Sequence, residues 1–213
     1  MLLSRQIGSH DVVLECADAY SELAGSVLDT LAELDRAGPQ LRPGSTVQFG
    51  WSLLTLKAED DKLRVCEPDF SGDVSRPRPN IDTTLSVLKE QVSVLRAVGE
   101  EGVDVRFTQF VAVGVGAMTT PDLFLKRDAP VADDDSGWFV GRLEDLEAAR
   151  SAEEVDALRI WEVLKLRPVL VQVMALPPGY VAIVRGSHVE ALLDKDLRLR
   201  WGRYPRELGE NRV

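Results

Sequence analysis

Short runs of β-branched and aromatic residues, each closed by turn-forming residues, occupy most of this chain, and few stretches keep a helical period. Thr46 to Leu56 is one such run. The turn Glu59-Asp60-Asp61-Lys62 follows it, and Leu63 and Val65 then alternate with Arg64 and Cys66. That pattern predicts a hairpin over residues 46–67, with Gly50 marking a bulge. Val103 to Met118 is a second β-rich stretch, and Leu123-Phe124-Leu125 reads as a short strand. Val169 to Ala175 and Tyr180 to Val184 flank Leu176-Pro177-Pro178-Gly179, which predicts two strands joined by a tight turn. A last short strand is expected to end at Trp201, before a polar tail, Tyr204 to Val213, that is expected to fray.

Three segments have helical spacing. From Asp11 to Arg36, the residues Val13, Ala17, Tyr20, Ala24, Val27, Leu31 and Leu34 fall on one face, with Gly38-Pro39 as a stop. Ile81, Leu85, Leu88, Val92 and Leu95 repeat at four, three, four and three, between a capping Asn80 and Gly99. Ser151-x-x-Glu154 is a capping box that predicts a helix to about Leu166, with Val155, Leu158, Trp161 and Leu164 inward and Pro168 as its end. The prolines between Asp69 and Pro79 predict a loop. Ala129 to Gly137 has linker composition, which places a boundary between lobes 1–130 and 131–213. Hairpins with few helices predict an α+β fold of largely antiparallel sheets packed by amphipathic helices in two lobes.

Charge decides which partners fit. The 213 residues carry 35 acids and 25 bases, a formal charge of −10. A nucleic-acid binder concentrates bases against phosphates, so DNA or RNA is not an expected partner. No apolar run reaches the ~18 residues that cross a bilayer, and the first residues lack the apolar core of a signal peptide, so a cytoplasmic location is the expectation. Cys16 and Cys66 are not in a Cys-x-x-Cys pair and read as buried apolar fillers.

Motifs for chemistry are sparse. His10 and His188 each stand without a second ligand at metal spacing, and nothing local supports a Cys66–His nucleophilic pair. Val113-Gly114-Val115-Gly116 lacks the third glycine of a dinucleotide fingerprint, since Thr119 stands there. Asp133-Asp134-Asp135 begins like a calcium loop, but Gly137 and Trp138 occupy its fifth and sixth positions, where a ligand and a glycine are needed. No metal or cofactor is therefore expected. The four tryptophans read as core anchors, with Trp138, beside a glycine and three acids, the one expected to be partly exposed.

The order of several motifs does resemble a family. Val65-Cys66-Glu67-Pro68-Asp69-Phe70-Ser71-Gly72, then Asp82-Thr83-Thr84-Leu85, Gln91, Arg106-Phe107, Asp135 to Gly141, Arg167 to Val173 and Leu176 to Tyr180 are similar to the Imm33-like immunity proteins of bacterial polymorphic toxin systems. The resemblance covers about Thr46 to Trp201 and leaves out the segment Asp11 to Arg36. It implies a protein without catalytic residues that binds and blocks a toxin domain. An acidic chain suits a basic toxin, because complementary charge speeds association. Exposed acids beside an aromatic suit such an interface. On that ground the candidate contacts are Glu67, Asp69 and Phe70 in the loop after the hairpin, and Asp133, Asp134, Asp135 and Trp138 near the linker. Two alternatives remain open at this point. One is a small hydrolase pairing Glu67 or Asp69 with His10 or His188, and the other is a scaffold module of a secretion system.

Overall fold

The computed structural model describes residues 1–38, 40–146 and 155–203. The chain divides into two compact units, Met1–Lys89 and Glu90–Val213. Fold class is as the patterning predicts: α+β, with two mixed but largely antiparallel sheets.

The first unit opens with a hairpin, β1 (Leu2–Ile7) and β2 (His10–Glu15), followed by α1 (Ser21–Ala37). The helix expected over Asp11 to Arg36 is therefore a strand for its first residues. Gly8, at φ +55, begins a two-residue turn that pairs Ile7 with His10, and the run Val12-Val13-Leu14 fits a pleated surface better than a helix. Three strands follow where one hairpin was expected: β3 (Thr46–Phe49), β4 (Ser52–Glu59) and β5 (Lys62–Pro68). Gly50 is not a bulge. At φ +55 it starts the β3–β4 turn, where a Cβ would lie 2.9 Å from Leu88 Cδ1. The sheet runs β1-β2-β5-β4-β3, with β2 and β5 parallel and its other main-path pairs antiparallel. Within the loop 69–79, Pro77–Arg78 forms a two-residue strand, β6, on β5.

One face of this sheet carries the core. Leu14, Leu54, Leu56, Leu63 and Val65 pack with Ala24, Val27, Leu28 and Leu31 of α1, and with Ile81 and Leu85. The latter belong to the start of α2 (Asp82–Val98), which forms where the period predicts it. Asn80 Oδ1 accepts the Asp82 N–H at 2.8 Å, and Gly99, at φ +74, closes the helix with its N–H on the Leu95 carbonyl at 2.9 Å.

The second unit is built on a seven-stranded sheet. Its strands are β7 (Phe110–Gly114), β8 (Asp122–Arg127), β9 (Asp135–Arg142), β10 (Val155–Arg159), β11 (Val181–Arg185), β12 (His188–Leu193) and β13 (Leu199–Gly202), ordered β10-β7-β9-β8-β11-β12-β13. Only β7 and β9 run parallel. Phe124, Val181, Ile183, Ala191 and Leu193 form a core on one face, while neighbouring Leu125, Ala182 and Leu192 are buried as well. Burial on both faces explains the continuous apolar runs of β8 and β11.

Three expectations fail here. Residues 155–159 form β10, paired with β7, rather than the body of a helix, and the helix α3 begins at Ile160 and runs to Leu166. Its cap is the Glu162 carboxylate, which accepts the Arg159 N–H at 2.7 Å; the predicted box at Ser151 and Glu154 lies outside the described residues. Val169 to Ala175 is not a strand, because Pro168 opens the short helix α4 (Pro168–Val171), and turns continue to Leu176. An all-apolar run of that length carries no period, and here proline at the first helical position decides its form. Finally, residues 129–137 connect β8 to its antiparallel neighbour β9, so the segment with linker composition is mainly a hairpin loop inside the second unit.

Cys16 and Cys66 are both buried and free. Extending the β2–β5 register sets Cys16 opposite Glu67 and Cys66 opposite Glu15, so the thiols project from opposite sheet faces. Both thiols are expected to resist a thiol reagent in the native protein and to react fully after unfolding without reductant. Loss of either equivalent after unfolding would contradict this placement.

Candidate functional site

The residues expected to meet a partner divide into those the fold uses internally and those it leaves exposed. Glu67 ends β5 and is buried. Its carboxylate accepts the Thr84 N–H at 2.7 Å and the Thr83 N–H at 3.2 Å, two of the first-turn amides of α2. Thr84 Oγ1 in turn lies 3.0 Å from Ser52 Oγ. Burial pushes the Glu67 carboxyl up, against the opposing pull of these hydrogen bonds. Phe70 is also buried, stacked on Trp51 with ring centroids 4.8 Å apart. Asp69 closes a local turn, accepting from Ser71 Oγ at 2.6 Å and from the Gly72 N–H at 3.1 Å, which hold its carboxyl below the usual range. At the end of β5, Glu67 therefore caps a helix and Phe70 packs a ring, while Asp69 is half-buried in its own turn.

The second group sits on the β8–β9 connection. Trp138 is 1% exposed, not partly exposed as expected, and its indole N–H donates to the Met174 carbonyl at 2.9 Å. Asp135 turns inward too, accepting the Gly137 N–H at 2.8 Å and the Val131 N–H at 2.9 Å. Ser136 Oγ bonds the Phe110 carbonyl at 2.6 Å. Gly137 sits at φ +74, where a Cβ would fall 2.2 Å from the Asp128 carbonyl oxygen, so no other residue fits the bulge that re-aims β9. Asp133 and Asp134 differ, because their side chains are exposed while their backbone is held from behind. Gln109 Nε2 donates to the carbonyls of Asp133 and Asp135, each at 3.1 Å; the Arg106 guanidinium also reaches the Asp133 carbonyl, and the Phe110 N–H bonds that of Asp134 at 2.7 Å. Val131, at 91% exposure, stands at the tip of this loop.

Arg127 joins these pieces. It is fully buried at the end of β8, and its guanidinium donates to the carbonyls of Leu176 at 2.5 Å, Met174 at 3.1 Å and Ser136 at 3.2 Å, with the Trp138 ring 5.7 Å away. Its backbone binds Gly179 and Tyr180 of the Pro-Pro-Gly turn. Burial lowers its pKa to about 10, so it stays charged at neutral pH. Sequence reasoning missed Arg127, Gln109 and Val131. Arg127 stands between Lys126 and Asp128 after the apolar run Leu123-Phe124-Leu125, so nothing local marked it as the buried charge of the three.

Within the first unit, His10 does not complete a catalytic pair with Glu67. His10 precedes β2's pairing with β5, and Glu67 lies about six residues further along β5, roughly 20 Å at ~3.3 Å per residue. His188 is exposed on β12 beside Ser187 Oγ at 3.2 Å, while the Glu67 and Asp69 oxygens are engaged by local hydroxyls and amides. Among the described residues no group of three or more His, Cys, Asp or Glu is arranged to hold a metal, and no helix is long and apolar enough to cross a membrane.

Compared with known protein families, residues 90–195 match the Imm33-like domain. The chain carries an immunity domain. Its family is an immunity protein family, typically non-enzymatic, so the domain implies a toxin-neutralising protein with a cognate toxin. Comparison with curated proteins and with solved structures returned no match. The Imm33-like match begins at residue 90, where the second compact unit begins. It is narrower than the resemblance over Thr46 to Trp201, whose first motif, Val65 to Gly72, lies in the first unit. Asp135 to Trp138 and Met174 to Tyr180, both inside the match, meet at Arg127. The order that makes the family legible is thus an order of architectural contacts.

Replacing Arg127 with Met leaves three buried carbonyls without that donor and is expected to cost about 3 kcal/mol, read from the urea midpoint by near-UV circular dichroism. A shift below about 0.5 kcal/mol would show that water or neighbours replace the guanidinium. Glu67 gives a pH signature. Its folded pKa is raised, so its contribution is fully present below the unfolded value, about 4.3, and is lost as pH rises through the folded value. Relative to Glu67→Gln, the native protein should lose stability as the pH rises above about 4; a pH-independent difference would contradict a raised carboxyl.

Proposed function

We propose that this protein neutralises its cognate toxin by direct, non-enzymatic binding in the bacterial cytoplasm, and that the β8–β9 loop is part of the docking surface. What carries the proposal is the coincidence of an Imm33-like domain with a held loop exposing Asp133, Asp134 and Val131. Because Gln109, Arg106 and Asp135 fix its backbone before any partner arrives, little ordering entropy is left for association to overcome. Two exposed carboxylates around an apolar side chain suit a basic toxin surface with a shallow apolar recess. The chain's charge of −10 favours the encounter with such a partner. Asp135 acts through the loop's shape, as do Glu67, Asp69, Phe70 and Trp138 through the folds that they hold.

The test uses a toxin domain against which this protein protects on co-expression. Asp133→Lys combined with Asp134→Lys should slow association at low salt by about tenfold and weaken protection against the co-expressed toxin, with the unfolding midpoint unchanged. Association kinetics identical to the native protein at low salt would remove the loop from the interface.

A further inference from the structure

We propose that the outer edge of β13 binds an extended acidic segment of a partner protein as an added antiparallel or parallel strand. The proposal is independent of the toxin-docking loop and would survive its failure. β13 is the last strand of the seven-stranded sheet, and its outer side pairs with no strand among the described residues. The sequence Arg198-Leu199-Arg200-Trp201-Gly202-Arg203 alternates basic and apolar residues along this edge in a chain whose overall charge is strongly negative. Leu199 and Trp201 are 40% and 42% exposed, large apolar groups left at the surface beside unpaired backbone. The Arg198 side chain is 75% exposed, with only a loose 3.6 Å ion pair to Asp196.

The edge is also held in place. Asp194 Oδ1 accepts the N–H groups of Asp196 and Arg198 at 3.0 Å each, which fixes the β12–β13 turn. Arg200 reaches the Val98 carbonyl at 3.4 Å and Glu100 at 4.0 Å, tying the strand to the end of α2, while Glu100 accepts from Tyr180 Oη at 2.9 Å. Gly202, at φ +89, comes so close to the Glu190 carbonyl that a Cβ would lie 2.1 Å from it. A fixed strand edge supplies backbone hydrogen bonds; Leu199 and Trp201, which a register shift sets opposite the consecutive Leu193 and Leu192, supply one apolar contact on each face, and Arg198 and Arg203 select acids. Arg198 and Arg203 also set the choice of occupant, because a second copy of β13 would bring like charges together. The Imm33-like match ends at residue 195, so this strand lies beyond the matched domain.

The test is an amide-resolved NMR titration of the full-length protein with acetyl-Glu-Val-Glu-Val-Glu-Val-amide and with its Lys-for-Glu counterpart. The acidic peptide should shift the amides of residues 199–202, bind about tenfold more tightly than the basic one, and lose that advantage in Arg198→Glu combined with Arg203→Glu. Spectra outside 194–203 that match the native protein confirm that this variant is folded. Equal binding of both peptides, or no shift at 199–202, would overturn the proposal. Stronger binding of a single-stranded oligonucleotide at the same amides would overturn it too, by assigning the edge to nucleic acid.

Discussion

A single buried guanidinium organises the second unit. Arg127 is buried at the end of β8, the central strand of its sheet, and its guanidinium donates to main-chain carbonyls of Ser136, Met174 and Leu176. A cation in that position must have all of its donors answered, or the strand that carries it is driven outward. Each acceptor belongs to a segment with its own constraint. Ser136 sits in the bulge made by Gly137, Met174 also receives the Trp138 indole N–H, and Leu176 opens the Pro-Pro-Gly turn. The segments that carry the family resemblance are in this way bonded to one another through one side chain.

That arrangement separates what a family shares from what a partner sees. Trp138 is buried, and Asp135 and Gly137 are half-buried in a turn whose close backbone approach leaves no room for a Cβ at Gly137. The side chains of Asp133, Asp134 and Val131 are exposed, and the bonds from Gln109, Arg106, Phe110 and Asp135 reach only the backbone of these residues. The first unit follows the same logic on a smaller scale, where Glu67 looks like an available acid but is engaged in ending one strand and starting one helix.

Much of the fold was legible. The period of α2, its Asn80 cap and its Gly99 stop are all local, and all three hold. The Glu59 to Lys62 turn and the α+β character follow from turn chemistry and alternation. Where prediction failed, two local codes competed. Val13, Ala17 and Tyr20 keep a helical spacing by coincidence, while Gly8 makes a hairpin of the preceding residues. Val169 to Ala175 is apolar all round, so only Pro168 and burial choose between strand and helix. Of the candidate contacts, the acids of the β8–β9 loop were placed by charge alone, and charge does not tell a carboxylate that faces water from one that caps a turn.

By itself, the sequence determined the fold class and the presence of an Imm33-like domain, since these depend on residue type and spacing along the chain. Tertiary structure alone decided that Glu67, Phe70 and Trp138 are buried, that Asp135 is spent on its own turn, and that Asp133, Asp134 and Val131 face solvent. The reason is physical. Which side of a loop or strand a residue occupies is set by partners far away in sequence: Thr84 for Glu67, Met174 for Trp138 and Gln109 for the loop backbone.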